Sequence, residues 1–85
     1  MFRIWAKVMK EGRILSQTTY EREEKFTYAE FFRYLTEICD ELDIPTPVLL
    51  KTHLFNYAKF RHVVFRPSDF MESIPFDRLM LENIL

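Results

Sequence analysis

Phe2, Ile4, Ala6 and Val8 alternate with Arg3, Trp5, Lys7 and Met9, which is the period-two pattern of a strand with one face buried. Lys10-Glu11-Gly12-Arg13 follows as a turn, with Gly12 the residue freest to take a positive φ. Residues 13–21 (RILSQTTYE) are rich in β-formers and predict a returning strand, so the chain opens on a hairpin. After a charged connection at 21–25 the period changes. Thr27 and Glu30 stand in capping-box spacing, with Phe26 and Phe31 placed as the accompanying hydrophobic staple. A helix to about Leu42 is expected, burying Phe31, Leu35, Ile38, Cys39 and Leu42 and exposing Glu30, Arg33, Glu37, Asp40 and Glu41. Pro45 ends it.

The second half is less periodic. Pro47-Val48-Leu49-Leu50 reads as a short extended segment. Thr52 is placed to cap a helix from about His53 to Phe60, with Leu54, Tyr57, Ala58 and Phe60 inward. His62–Phe65 is a β run ended by Arg66-Pro67, Ser68-Asp69 opens a turn, and Ile74-Pro75 forces an extended step. Residues 78–84 read as a closing strand. The expected fold is therefore α+β: a small, mainly antiparallel sheet with two helices, in the order ββα-β-α-ββ, across one domain of 85 residues.

Composition narrows the chemistry. One glycine leaves no phosphate-binding glycine loop, and one cysteine leaves neither a disulfide framework nor a multi-cysteine zinc pattern. Cys39 lies late in an acidic helix on its apolar stripe, where charge and the helix end raise a thiol pKa, so it reads as a structural thiol. His53 and His62 are nine residues apart, which suits no metal motif, and they are read as two partly exposed histidines. Glu37, Asp40 and Glu41 share a solvated helix face, which does not separate carboxylate pKa values for acid–base work. No catalytic, metal or cofactor site is expected, and a protein without enzymatic activity is the reading. The apolar residues near the N-terminus form no signal-like block, and a free cysteine agrees with a reducing compartment, so the expected location is the cytoplasm.

Charge is more informative than any motif. Residues 1–25 carry +2, 26–43 carry −4, 44–68 carry +4 and 69–85 carry −3, which leaves the formal net charge of −1. The 44–68 segment holds Lys51, Lys59, Arg61 and Arg66 and no carboxylate, interleaved with Phe55, Tyr57, Phe60 and Phe65. Arg3, Trp5 and Lys7 repeat that mixture of cation and ring on one strand face. These six cations and Trp5 are the candidate binding surface. Two functions suit it: a protein-interaction module, with self-association into a homodimer as one form, or weak single-stranded nucleic-acid binding through 44–68. The 14 aromatics and the terminal Ile84-Leu85 favour the protein interface, and a pI near 6.1 argues against the nucleic acid. Opposite patches pairing within one monomer is the third possibility.

Several segments taken together carry a resemblance. Arg3-Ile4-Trp5-Ala6-Lys7, Glu37-Ile38-Cys39, Pro47-Val48-Leu49-Leu50, and Phe65-Arg66-Pro67-Ser68-Asp69-Phe70 with Phe76-Asp77 and Leu79 resemble a family of small Firmicutes proteins of unknown function. The resemblance spans nearly the whole chain and implies a free-standing bacterial domain. It carries no activity and no catalytic residue. Many members have a second tryptophan where this chain has Leu49, so a platform built on that residue is absent here.

Overall fold

The computed structural model describes residues 1–84; the expectation attached to Leu85 lies outside the described residues. Strand β1 (Phe2–Lys10) turns at Glu11-Gly12 into β2 (Arg13–Arg22). Both turn residues have positive φ, 51° and 78°, the type I′ requirement that lets a two-residue loop match strand twist. Asp77 braces the turn: its carboxylate accepts the Glu11 N–H at 2.6 Å, and its own N–H donates to the Met9 carbonyl at 2.8 Å. A 3₁₀ turn (Tyr28–Glu30) leads into α1 (Phe31–Leu42), and a proline-containing loop leads to α2 (Lys51–Phe60). Strand β3 (His62–Phe65), a 3₁₀ turn (Pro67–Asp69) and β4 (Arg78–Asn83) complete the fold. All pairings are antiparallel, in the order β2-β1-β4-β3.

The alternation in β1 fixes which side is covered. Phe2, Ile4, Ala6 and Val8 join Tyr20, Leu79, Leu81, Val63 and Phe65 in the core, where Phe31, Tyr34, Leu35, Ile38 and Cys39 of α1 close over them. Tyr57 of α2 joins the same cluster, so both helices lie on one side of the sheet. Burial of these large rings supplies the main driving force, each Phe or Tyr removing roughly 150–250 Å² from water. The aromatics divide clearly: eight are buried, Trp5 and Phe26 are partly buried, and Tyr28, Phe32, Phe55 and Phe60 are exposed.

The α+β class and antiparallel sheet are as the pattern predicts, with three local corrections. Pro47–Leu50 is not a strand: Pro47, like Pro45 just before the segment, supplies no N–H, and Val48 N–H makes a single bond, to the Asp69 carbonyl at 2.8 Å, with no ladder. The Thr27–Glu30 capping box does not form, because Glu30 turns to Arg33 at 2.9 Å and Thr27 begins a 3₁₀ turn with no side-chain cap. The Phe26–Phe31 staple contact is present, with the rings edge to face at 6.1 Å. Third, α2 starts at Lys51 rather than after Thr52, and it buries His53 and Tyr57 while Ala58 and Phe60 face outward.

Candidate functional site

The sequence-predicted surface separates into a sheet face and three clefts. Arg3, Trp5 and Lys7 do share the face opposite the helices, but their polar groups are satisfied within the sheet. Arg3 Nε lies 2.8 Å from Glu21, its register partner on β2. The Trp5 indole N–H donates to Gln17 at 2.9 Å. The Lys7 ammonium sits 3.9 Å from the Trp5 ring centroid and 3.6 Å from Glu82 on β4. An incoming base or ring must displace that ammonium to stack on that face of Trp5. This side of the sheet is a set of completed cross-strand pairs.

The four cations of 44–68 line different clefts. Lys59 and Arg61 border one, Arg66 borders a second and Lys51 borders a third. No single groove tracks all four.

The second cleft, of about 370 Å³, contains both histidines. His53 is the one sequence reasoning misplaced: it is buried rather than partly exposed, because both ring nitrogens have partners. Nδ1 accepts the Leu50 N–H at 2.9 Å, which caps α2, and Nε2 lies 3.3 Å from Asp69 Oδ2. That assigns the proton of a neutral ring to Nε2. Asp69 also accepts the Arg66 N–H at 2.9 Å, and the His53 ring packs on Phe65 at 4.5 Å. With neither nitrogen available to take a proton from a substrate, this pair is a lock joining α2 to the β3–β4 connection. His62 is exposed and contacts the Phe60 carbonyl at 3.1 Å.

Cys39 is fully buried, and removal from water pushes its thiol up to about 12 against an opposing hydrogen bond with Thr46. No group of three His, Cys, Asp or Glu residues converges for a metal among the described residues.

The first cleft, about 420 Å³, lies where the C-terminal end of α2 meets the ends of β1 and β4. Backbone bonds fix its frame: Asn83 N–H donates to the Arg61 carbonyl at 2.8 Å and Ile84 N–H to the Arg3 carbonyl at 3.3 Å. Arg61 adopts left-handed φ of 65° as the cap of α2, its N–H returning to the Tyr57 carbonyl at 2.9 Å. Cations Arg3, Lys59 and Arg61 stand beside rings Phe26, Tyr28 and Tyr57, and among the described residues no carboxylate side chain lines the cleft. Phe26 stacks on Tyr57 at 5.9 Å and meets Tyr28 edge-on at 4.9 Å. Sequence reasoning found Lys59, Arg61 and Arg3, with Tyr57 among the interleaved rings, but did not bring Phe26 and Tyr28 to them. The available signal was a tyrosine, rather than a phenylalanine, at an inward-facing position, since a buried phenol needs somewhere to direct its hydroxyl.

The third cleft is a shallow apolar groove of about 290 Å³ between Tyr28 and the Leu54, Phe55 and Ala58 side of α2, with Lys51 at its rim. Phe55 is 67% exposed, and Leu50 and Phe60 are exposed on either side of it.

No family model, curated protein or solved structure matches the chain, so the resemblance to small Firmicutes proteins rests on the quoted segments alone.

Proposed function

We propose that this protein is a non-catalytic interaction module that docks through the outer face of α2. One observation carries the reading: the Tyr28–Phe55 groove is apolar, with Lys51, a cation from a segment with no carboxylate, at its rim. Exposed rings grouped beside unneutralised charge are typical of docking surfaces, where the rings supply affinity and the charge supplies steering. The matching chemistry is apolar side chains framed by carboxylates. The chain offers it on α1, where exposed Phe32 shares a helix with the exposed carboxylate of Asp40. The occupant we assign is therefore a second copy, in the cytoplasm, where a free Cys39 stays reduced.

Light scattering over a concentration series tests this. The mass is expected to rise at low salt, to fall back toward one chain at about 0.5 M salt, and to stay at one chain for Phe55→Ser. A single-chain mass throughout the series overturns the reading.

Single-stranded nucleic acid is the second reading, favoured by the cations and rings brought together in the first cleft. Fluorescence anisotropy with an oligothymidylate at low and moderate salt decides it: absence of salt-sensitive binding removes it.

A further inference from the structure

β3 lies at one edge of the sheet, so one side of its backbone has no neighbouring strand. Antiparallel ladders alternate bonded and unbonded pairs, and a single bond sets the phase. Asn83 N–H donates to the Arg61 carbonyl, one register position before His62–Glu82, so Val63 and Phe65 are the β3 residues that bond to β4. His62 and Val64 therefore turn their N–H and C=O groups outward, where they have no hydrogen-bond partner among the described residues. Edges are usually blunted by a charged residue, a proline or a bulge. The other edge, β2, has a register shift at Val8/Met9 and side-chain bonds to α1 from Thr18 and Tyr20. The His62–Phe65 run has no such protection.

This open edge faces the second cleft. Its lining includes both Val63, which points into the core, and Val64, which does not, so the cleft follows the strand edge rather than a sheet face. α2 forms the opposite wall and runs back along β3: His53 packs on Phe65, and Phe60 lies 6.3 Å from His62. Exposed Thr52 and Asn56 on that wall carry side-chain hydrogen-bonding groups with no partner among the described residues. Phe60, also exposed, supplies an apolar surface toward the His62 end. At the other end Asp69 takes the Arg66 N–H, the next outward donor, which ends the open stretch at Val64. That carboxylate is engaged there and by His53, whereas the exposed Arg66 side chain has no carboxylate partner among the described residues.

We propose that the groove between β3 and α2 takes an extended acidic peptide segment of a partner protein as a fifth strand, antiparallel to β3. Strand addition draws affinity from main-chain bonds and selectivity from alternate side chains. The antiparallel direction, common to every pairing in this sheet, places the N-terminal end of the peptide at Arg66. An acidic residue there meets the one cation of that end left without a carboxylate. The peptide residue opposite Val64 exchanges main-chain bonds with it, and the next one, opposite Val63, turns an apolar side chain toward Phe60. The inference is independent of self-association through α2, which uses the other flank of that helix, at Leu54, Phe55 and Ala58.

Acetyl-Asp-Thr-Val-Leu-Thr-amide is the probe, titrated at low salt and followed by two-dimensional NMR and amide hydrogen exchange. With the peptide at ten times its dissociation constant, exchange at the His62 and Val64 amides is expected to slow about tenfold. Val63 and Phe65, already bonded to β4, are expected to change little. The same peptide N-methylated at valine keeps every side chain but loses the central main-chain donor, and is expected to bind at least about tenfold more weakly. Arg66→Gln, at an exposed side chain, is expected to weaken the aspartate peptide about threefold and to leave an asparagine version unchanged. Equal affinity of the methylated and unmethylated peptides overturns the proposal, as do shifts confined to the Phe55 flank. Slow exchange at His62 and Val64 that grows with protein concentration in the absence of peptide also overturns it and gives the edge to a second copy. An oligothymidylate that protects the same two amides more strongly than the peptide transfers the groove to nucleic acid.

Discussion

Left-handed backbone at Glu11, Asp43 and Arg61 reflects how a chain with one glycine ends its elements. Asp43 closes α1 in a Schellman arrangement, with Ile44 N–H on the Cys39 carbonyl at 3.0 Å and Asp43 N–H on the Asp40 carbonyl at 3.2 Å. That geometry normally recruits glycine, and a carboxylate at a helix C-terminus also meets the negative end of the helix dipole. Asp43→Gly is therefore expected to stabilise the protein by about 1 kcal/mol, read as a higher urea midpoint with unchanged slope. Cys39 shows the same logic in a reactive side chain. A buried thiol pushed up to about 12 holds almost no thiolate near neutrality. Iodoacetamide at pH 8 is expected to leave the folded protein unlabelled and to label it stoichiometrically in denaturant; rapid labelling of the native state contradicts this environment. Of the two residue types the sequence suggested for chemistry, the cysteine was legible because its stripe position alone dictates burial. The histidine was not, because burial of His53 depends on Asp69, sixteen positions away, and on a backbone N–H that only the α2 start provides.

Elements were legible where their pattern is local. The β1 alternation, the Glu11-Gly12 turn and the α1 stripe each arise from neighbours in sequence; the first two form as read, and the stripe forms with Tyr34 added and Leu42 only partly buried. Pro47–Leu50 was misread because β-branched and apolar composition says nothing about whether a neighbouring strand offers an edge. The joint between β2 and α1 is a non-local feature of this kind. The buried Tyr20 hydroxyl donates to Glu37 in a short bond, beside Arg22 at 3.4 Å, and Thr18 Oγ1 donates to Glu41 at 2.9 Å. The Tyr20 bond, with Arg22 and Arg33 assisting, holds the Glu37 carboxyl below its ordinary range. A depressed carboxylate contributes stability that is fully present above the unfolded-state pKa and is lost as pH falls through the folded one. Glu37→Gln is expected to cost about 1 kcal/mol near neutrality, the low end for a charge-assisted bond because the side chain is 37% exposed. It is also expected to flatten the acid limb of the stability–pH curve below about pH 5. Tyr20→Phe belongs to the same cycle. If the two substitutions prove additive, the bond does not couple strand to helix.

The molecule distributes its charge unevenly once folded, and in a way the segment sums do not reveal. Glu37 and Glu41 of α1 are met by Arg22 of β2, and Glu37 also by Arg33 of the same helix, whose guanidinium touches Glu24 and Glu30 as well. Among the described residues, no ion pair joins Glu37 or Glu41 to Lys51, Lys59 or Arg66. Lys51 and Lys59 have no carboxylate within ion-pair distance among the described residues, so pairing of opposite patches inside the monomer accounts for only one side. Sequence showed two oppositely charged segments; which cations neutralise the acidic one is set by β2 passing beside α1, a consequence of sheet order rather than of composition. The two sides should respond differently to neutralisation and to salt. Arg33→Met removes the centre of an ion-pair network, leaving like charges on one helix face, and is expected to lower the melting temperature at low salt by more than at about 1 M salt, where the Debye length is near 3 Å. Lys59→Met removes a cation that no carboxylate offsets, and it is expected to leave the melting temperature unchanged or raise it slightly at either salt. Thermal melts of both variants at the two salt concentrations separate the cases. A salt-dependent loss of stability in Lys59→Met means that α2 is neutralised within the monomer, and the positive side of the molecule is then not available to an acidic partner.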